Sequence, residues 1–141
     1  MKVTLACYHA IMMRHGGPMT HILQIKKHLE KLGIEIELID IWKSREDIFK
    51  TDLFHLHASN ISLWDLAGYL HVHKTKYVVT PIFFTRRSAR TIRNVCKINT
   101  IAKKISPAIW SGYSISHDIC NWAHHVLPNT TDEAKLISNG L

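Results

Sequence analysis

The first forty residues constrain the fold of this chain most, because they combine a strand, a glycine turn, a helix and a second strand. Segment 2–8 (KVTLACY) is an apolar run with little alternation, which is typical of a strand buried on both faces of a parallel sheet. A helical pattern occupies 18–32, and 34–41 (IEIELIDI) predicts the second strand. Gly33 stands where a helix commonly ends on a left-handed glycine. This order predicts a βαβ unit with parallel strands.

The rest of the chain continues to alternate between apolar runs and helical patterns. Strands are expected at 52–57, 76–81 and 125–128, and helices at 62–73, 86–105, 116–125 and from 130 to about 139, with a short helix or loop at 43–50. Ser62 with Asp65 and Thr130 with Glu133 have the spacing of capping boxes. We therefore expect one α/β domain, residues 1–141, with a Rossmann-like three-layer α/β/α architecture and an open, mostly parallel sheet.

The Gly16-Gly17 turn before the first helix has two interpretations. One is a tight connection without a ligand. The other is an anion site, because glycine allows positive φ and leaves backbone N–H groups accessible at the positive end of the helix dipole. The turn lacks the G-x-G-x-x-G fingerprint and no GK[ST] follows, so a nicotinamide-binding fold and a P-loop are disfavoured. His9, at the end of the first strand, would line the same crevice as a base or an acceptor contact, or be a satisfied boundary residue.

The positive charge is concentrated in the middle of the chain. The formal net charge is +7. Segment 66–117 has no acidic residue, and its basic residues are Lys74, Lys76, Arg86, Arg87, Arg90, Arg93, Lys97, Lys103 and Lys104. Such a run is commonly only a solvated face. The alternative is an anionic partner: lipid headgroups, a diphosphate-linked substrate or nucleic acid.

Several classes of protein are disfavoured by what the sequence lacks. No apolar run is long enough to span a membrane, and no secretion signal is recognisable at the N-terminus. Three widely spaced cysteines fit reduced thiols, so we expect a cytoplasmic protein. Despite eleven histidines there is no H-E-x-x-H and no C-x2-C pair, and we expect no metal site.

The motifs in their order resemble a known family. The Gly-Gly turn, the helix HILQIKKHLEKLG, the strands IEIELID, DLFHLH and KYVVTPIFF, and the end HVLPNTTDEAKLISNGL are similar to the N-terminal domain of GT-B fold glycosyltransferases of the family 4 (group 1) type. The resemblance covers nearly the whole chain. It implies the acceptor-side half of an enzyme that transfers a sugar, with retention, from a nucleotide-sugar to a cell-envelope glycan or lipid-linked acceptor. No cofactor is implied.

The resemblance also implies site residues. Gly16 and Gly17, with Arg14 two residues before the turn, would approach the donor diphosphate. The strand-end loops would face the acceptor through His57, Asn60, Phe83, Arg86 and Arg87. Many members carry a histidine at the tip of the fourth strand, where this chain has Pro-Ile-Phe, so the catalytic histidine of the family has no counterpart here and the catalytic residue stays unknown. His9 is a candidate only through its place at the end of the first strand.

The family's second α/β domain, with its E-x7-E motif, does not occur within these residues. A separate or missing C-terminal donor-binding domain is therefore the expected partner, and the chain alone is not expected to transfer sugar. We expect an exposed face there, which could join two copies, and peripheral contact of the basic region with the inner face of a membrane. Two alternatives stay open: a non-enzymatic α/β module that uses the basic helix on nucleic acid or protein, and a small nucleotide-binding enzyme of flavodoxin-like strand order.

Overall fold

The computed structural model describes residues 1–13, 16–106 and 109–141. The elements in these ranges are β1 (Lys2–Cys7), α1 (Gly17–Lys31), β2 (Glu35–Leu38), α2 (Arg45–Ile48), β3 (Leu53–His57), α3 (Ile61–Val72), β4 (Tyr77–Thr80), α4 (Ala89–Ile105), α5 (Gly112–Trp122), β5 (His125–Val126) and α6 (Thr131–Gly140). A short 3₁₀ turn, His9–Met13, follows β1. The alternation of strands and helices confirms the α/β prediction.

All five strands are parallel, in the order β2-β1-β3-β4-β5. Val3 of β1 is paired on one side with Ile36 and on the other with Leu53. This is the flavodoxin-like order, and it is also what remains of the order 3-2-1-4-5-6 when the outermost strand is absent. The chain leaves β1 toward one edge of the sheet and returns to its other side at β3. The switch point, where ligands bind in open α/β sheets, therefore lies between the carboxyl ends of β1 and β3.

Helices cover both faces of the sheet, which gives the three-layer architecture. On one face α1 packs through Ile22 against Val3, Leu5 and Ile36. On the other face α3 and α5 cover the aromatic and aliphatic side chains of β3 and β4, with Phe49 at the end of α2 at the margin. Helix α4 packs against α5 and α6, with Ile92, Cys96 and Asn99 on its buried side. The two cores leave the carboxyl ends of the strands uncovered by helix bodies.

The N-terminal caps explain why two helices begin earlier than predicted. Helix α3 begins at Ile61 because the Asn60 side chain accepts a hydrogen bond from the Ser62 N–H (3.0 Å), so the predicted box starting at Ser62 was wrong. Helix α5 begins at Gly112 because Ser111 and Ser114 cap each other reciprocally. Short polar side chains compete for several adjacent cap positions, and the fit of the helix to the sheet selects one of them.

Candidate functional site

The carboxyl edge of the sheet carries two adjoining cavities at the switch point. One, of about 220 Å³, is lined by Tyr8, Pro18, Ala58, Ser59, Asn60, Pro81, Ile82, Phe83 and Phe84. The other, of about 260 Å³, is lined by Gly17, Pro18, His21, Ile82 and Asn129. Pro18 and Ile82 belong to both linings, so the two cavities form one crevice between the start of α1 and the loops after β3, β4 and β5. The structure thus brings Gly17, Asn60 and Phe83 of the predicted site together.

The start of α1 is open. Gly16 is the N-cap, no side chain caps the helix within the described part of the chain, and Pro18 stands in its first turn. Neither glycine uses the positive φ that its residue type allows, because Gly16 is extended (φ −175°, ψ −178°) and Gly17 is helical. A Cβ on Gly17 would meet no atom within 4 Å. The glycines therefore provide open space beside the first N–H groups of the helix, where an anion is favoured. Arg14 lies outside the described residues.

Two residues of the crevice have strained backbones. Ala58, directly after β3, has φ +149°, and Ile82, after β4, has φ +51°. A positive φ is costly for any residue with a Cβ and is a genuine outlier for the β-branched isoleucine. The neighbouring Ser59 holds the two loops together, since its N–H donates to the Pro81 carbonyl oxygen (2.8 Å). Strain of this kind concentrates at binding and catalytic sites, so both positions favour a functional role for the crevice.

Glu133 holds together two of the loops that form the crevice. Its carboxylate is buried and accepts hydrogen bonds from the Phe83 N–H and the Asn129 N–H, each at 2.6 Å. The predicted cap is half confirmed, because Thr130 Oγ1 accepts from the Glu133 N–H (3.1 Å). The carboxylate itself joins the loops after β4 and β5. The sequence signal, a glutamate three residues after a cap, indicates a helix start but not the two loops that meet there.

His57 lies beneath the crevice, not in it. Its side chain is 0% exposed, and neither ring nitrogen has a hydrogen-bond partner among the described residues. Its ring is tilted by 32° against that of His55 (centroids 4.0 Å apart) and is nearly perpendicular to that of His21 from α1 (centroids 5.9 Å apart). Burial, with the neighbouring histidines, lowers the pKa of His57 to about 3, and burial lowers that of His55 to about 4. Both are therefore neutral at physiological pH. A direct contact between His57 and an acceptor does not fit this burial.

The other predicted acceptor residues divide into two groups. Asn60 lines the crevice and also caps α3, and Phe83 lines it and packs edge-on against Tyr113 (centroids 6.2 Å apart). Arg86 and Arg87 are exposed in the loop between β4 and α4 and are not part of the crevice lining. They are placed to meet only a ligand that extends beyond the crevice.

The prediction that His9 lines the crevice was wrong, because His9 instead lines a third and larger cavity of about 510 Å³ that it forms with residues of α2 and α3. Its walls are mainly aliphatic and aromatic, and its polar side chains are His9, Arg45, Ser62 and Asp65. The Arg45 guanidinium lies over the Tyr69 ring, 4.9 Å from its centroid. Apolar walls with a few polar groups, in a volume of a few hundred Å³, are typical of small-molecule sites. The sequence analysis missed this cavity, because the polar segment that forms α2 showed no sign of covering a ligand site.

Within the ranges the structure describes, no three His, Cys, Asp or Glu side chains are grouped to hold a metal ion. In the same ranges, none of the helices combines the length and the apolar character needed to cross a membrane.

Comparisons with known proteins do not identify the chain. No protein-family model matches the sequence, and the searches of curated proteins and of solved structures found no match either. The α/β fold and the crevice at its switch point are therefore the observations from which a function has to be inferred.

Proposed function

We propose that this chain is the acceptor-side half of a glycosyltransferase that uses a nucleotide-sugar and a cell-envelope glycan or lipid-linked acceptor. The observation that carries the proposal is the uncapped start of α1, where Gly17 leaves open space beside free N–H groups at the switch point of a parallel sheet. The order of motifs along the sequence supports the same reaction class. A donor-binding domain, separate or joined, would complete the site over the crevice.

The chemistry asks for stabilisation of a diphosphate as the bond between sugar and phosphate breaks. Backbone N–H groups at a helix start supply this without a metal ion, since they are fixed in place and lie at the positive end of the helix dipole. Asn129 and His21 line the same cavity as Gly17 and offer further polar contacts to the leaving group. In this scheme the loops held by Glu133 position Phe83 and Asn129 around the reacting atoms.

The acceptor would occupy the cavities on either side of β1. Asn60 and Ser59 line the cavity of about 220 Å³, and His9 lines the cavity of about 510 Å³ together with Arg45 and Asp65. The larger cavity suits an acceptor with an apolar portion and hydroxyl or phosphate groups, because its walls are apolar and its polar groups are few. His9, which lines the larger cavity and not the crevice, would contact the acceptor there.

The test begins with the DNA that follows codon 141 and the neighbouring reading frame, which are searched for a second α/β domain with the E-x7-E spacing. The two halves are then assayed together with nucleotide-sugars, using Gly17→Val and the control Gly112→Val. Both glycines begin a helix, and a Cβ on either meets no atom within 4 Å. The valine side chain would fill the open space beside the first N–H groups of α1 and remove one hydrogen bond to the charged diphosphate. We therefore expect Gly17→Val to lower kcat/KM about ten- to a hundredfold. Gly112→Val should keep the parent value.

Two results would overturn the proposal. One is the absence of any donor-binding domain nearby, together with amide signals of Gly17 and Met19 that do not shift when a nucleoside diphosphate is added to the chain. The other is a transferase in which both valine variants behave alike. The first result would favour the non-enzymatic binding module.

A further inference from the structure

Helix α4 has an apolar row on the side that faces away from the protein. Ile98, Ile101 and Ile105 are 65%, 63% and 84% exposed. Their spacing of three and four residues places them on one face of the helix, opposite the buried Ile92, Cys96 and Asn99. We call these three side chains the isoleucine row. Exposed isoleucines scattered singly need no explanation, but three in one row on a polar helix indicate a binding surface.

A basic row runs beside the isoleucine row. It consists of Arg90, Lys97 and Lys104, which are exposed, recur every seven residues and have no ion-pair partner among the described residues. Other basic groups of α4 are engaged: Lys103 pairs with Asp118 (2.7 Å), and Arg93 donates to the Asn139 carbonyl oxygen. Segment 66–117, which contains the whole of α4, has no acidic residue that could pair with the basic row along the helix.

We propose that α4 docks on an anionic phospholipid surface, with the isoleucine row between the acyl chains and the basic row among the headgroup phosphates. An interfacial helix is recognised by an apolar face beside a Lys/Arg-rich face and by low net hydrophobicity, and α4 has these properties. Ile109 and the half-exposed Trp110 follow the helix, and tryptophan favours the level of the headgroups. The proposal is independent of the transfer reaction.

Charge complementarity argues for lipid over the other partners. A second copy of the chain would place two basic rows together, and the net charge of +7 opposes that association. A nucleic acid would satisfy the basic row through its phosphates but would leave three isoleucines against water. A lipid surface presents anionic headgroups beside hydrocarbon and so matches both the basic row and the isoleucine row.

The test measures binding of the full chain to sedimented vesicles of phosphatidylcholine, with and without phosphatidylglycerol. One variant replaces the isoleucine row by serine, and a second replaces the basic row by glutamine. The control, Leu32→Ser with Val72→Ser, removes two equally exposed apolar side chains from α3 and the end of α1. Because all these positions are exposed, the variants should keep the far-UV circular dichroism of the parent.

We expect the parent to prefer the phosphatidylglycerol vesicles and to lose binding as salt is raised. The serine variant should bind at least about tenfold more weakly, because its apolar insertion is lost. The glutamine variant should bind about a hundredfold more weakly, since each of the three cations near an anionic surface contributes roughly a factor of five. The control should bind like the parent.

Three results would overturn the proposal. The serine variant could bind the vesicles as tightly as the parent. The chain could bind duplex nucleic acid more tightly than vesicles, with no loss in the serine variant. Finally, the chain could be a dimer that only the serine variant dissociates, with no binding to vesicles, which would make the isoleucine row a contact between copies.

Discussion

The buried histidine pair predicts how the stability of this protein depends on pH. In the unfolded chain a histidine has a pKa of 6.5, whereas burial holds His57 near 3 and His55 near 4 in the folded protein. Between these values the unfolded state binds more protons than the folded state, so the free energy of unfolding falls as the pH falls. The full contribution is present above 6.5 and is lost progressively on the way down to the folded pKa values.

The size of this loss of stability follows from how far the pH lies below the pKa of histidine in the unfolded chain. At about pH 5 each histidine lies roughly 1.5 units below its unfolded pKa and is still neutral in the folded protein, which costs about 2 kcal/mol per histidine. The pair should therefore lower the free energy of unfolding by about 4 kcal/mol between about pH 7 and about pH 5. His57→Leu should halve that loss. At neutral pH it should also stabilise the protein by about 1 kcal/mol, because both ring nitrogens of His57 lack partners.

The assay is urea unfolding followed by circular dichroism at both pH values, for the parent, His57→Leu and the control His28→Asn. His28 is an exposed residue of α1, so its replacement removes a histidine without changing the core. The control should lose as much stability at pH 5 as the parent does. If His57→Leu lost the same amount as well, the acid sensitivity would have another origin and the burial argument would fail.

Two further substitutions test contacts around the crevice and the core. Glu133→Ala should lower the free energy of unfolding by about 4 kcal/mol, because two backbone N–H groups lose a charged acceptor. Asp132→Ala, exposed in the same turn, should cost at most about 1 kcal/mol, and equal losses in urea unfolding would contradict the bridging role. Tyr77→Phe should cost about 1 kcal/mol, because the buried hydroxyl group donates to the Ile119 carbonyl oxygen at 2.6 Å. An unchanged unfolding midpoint would show that this carbonyl oxygen finds another donor.

The fold could be predicted largely because the local signals agree with each other. Gly33 is a clear case: it has φ +78°, its N–H donates to the Glu30 carbonyl oxygen, and it directly follows Leu32, the C-cap of α1. The apolar runs indicated the five strands, although the paired segments are shorter by one to four residues. Pairing ends where the neighbouring strand ends, and a sequence pattern contains no information about that neighbour.

The site was harder to predict because its key properties arise between distant elements. His55 and His57 lie on the same face of β3 because they are two residues apart, but the burial of His57 depends also on α1, which brings His21 over it. The positive φ of Ile82 contradicts the preference of its residue type, so no local rule indicates it. Likewise, the role of Glu133 depends on two loops that its helix does not contain.

The strand order has a consequence for how the chain is synthesised. Strand β1 is made before the other four strands and lies inside the finished sheet, second from one edge, yet one of its neighbours, β3, begins only at Leu53. A nascent chain therefore carries an apolar strand with an open edge until that distant segment has emerged, and closing such long loops makes folding slow. During this interval the strand can pair with the wrong partner or aggregate. The arrangement that places the crevice beside β1 thus makes biosynthesis the stage at which this strand is most open to wrong pairing.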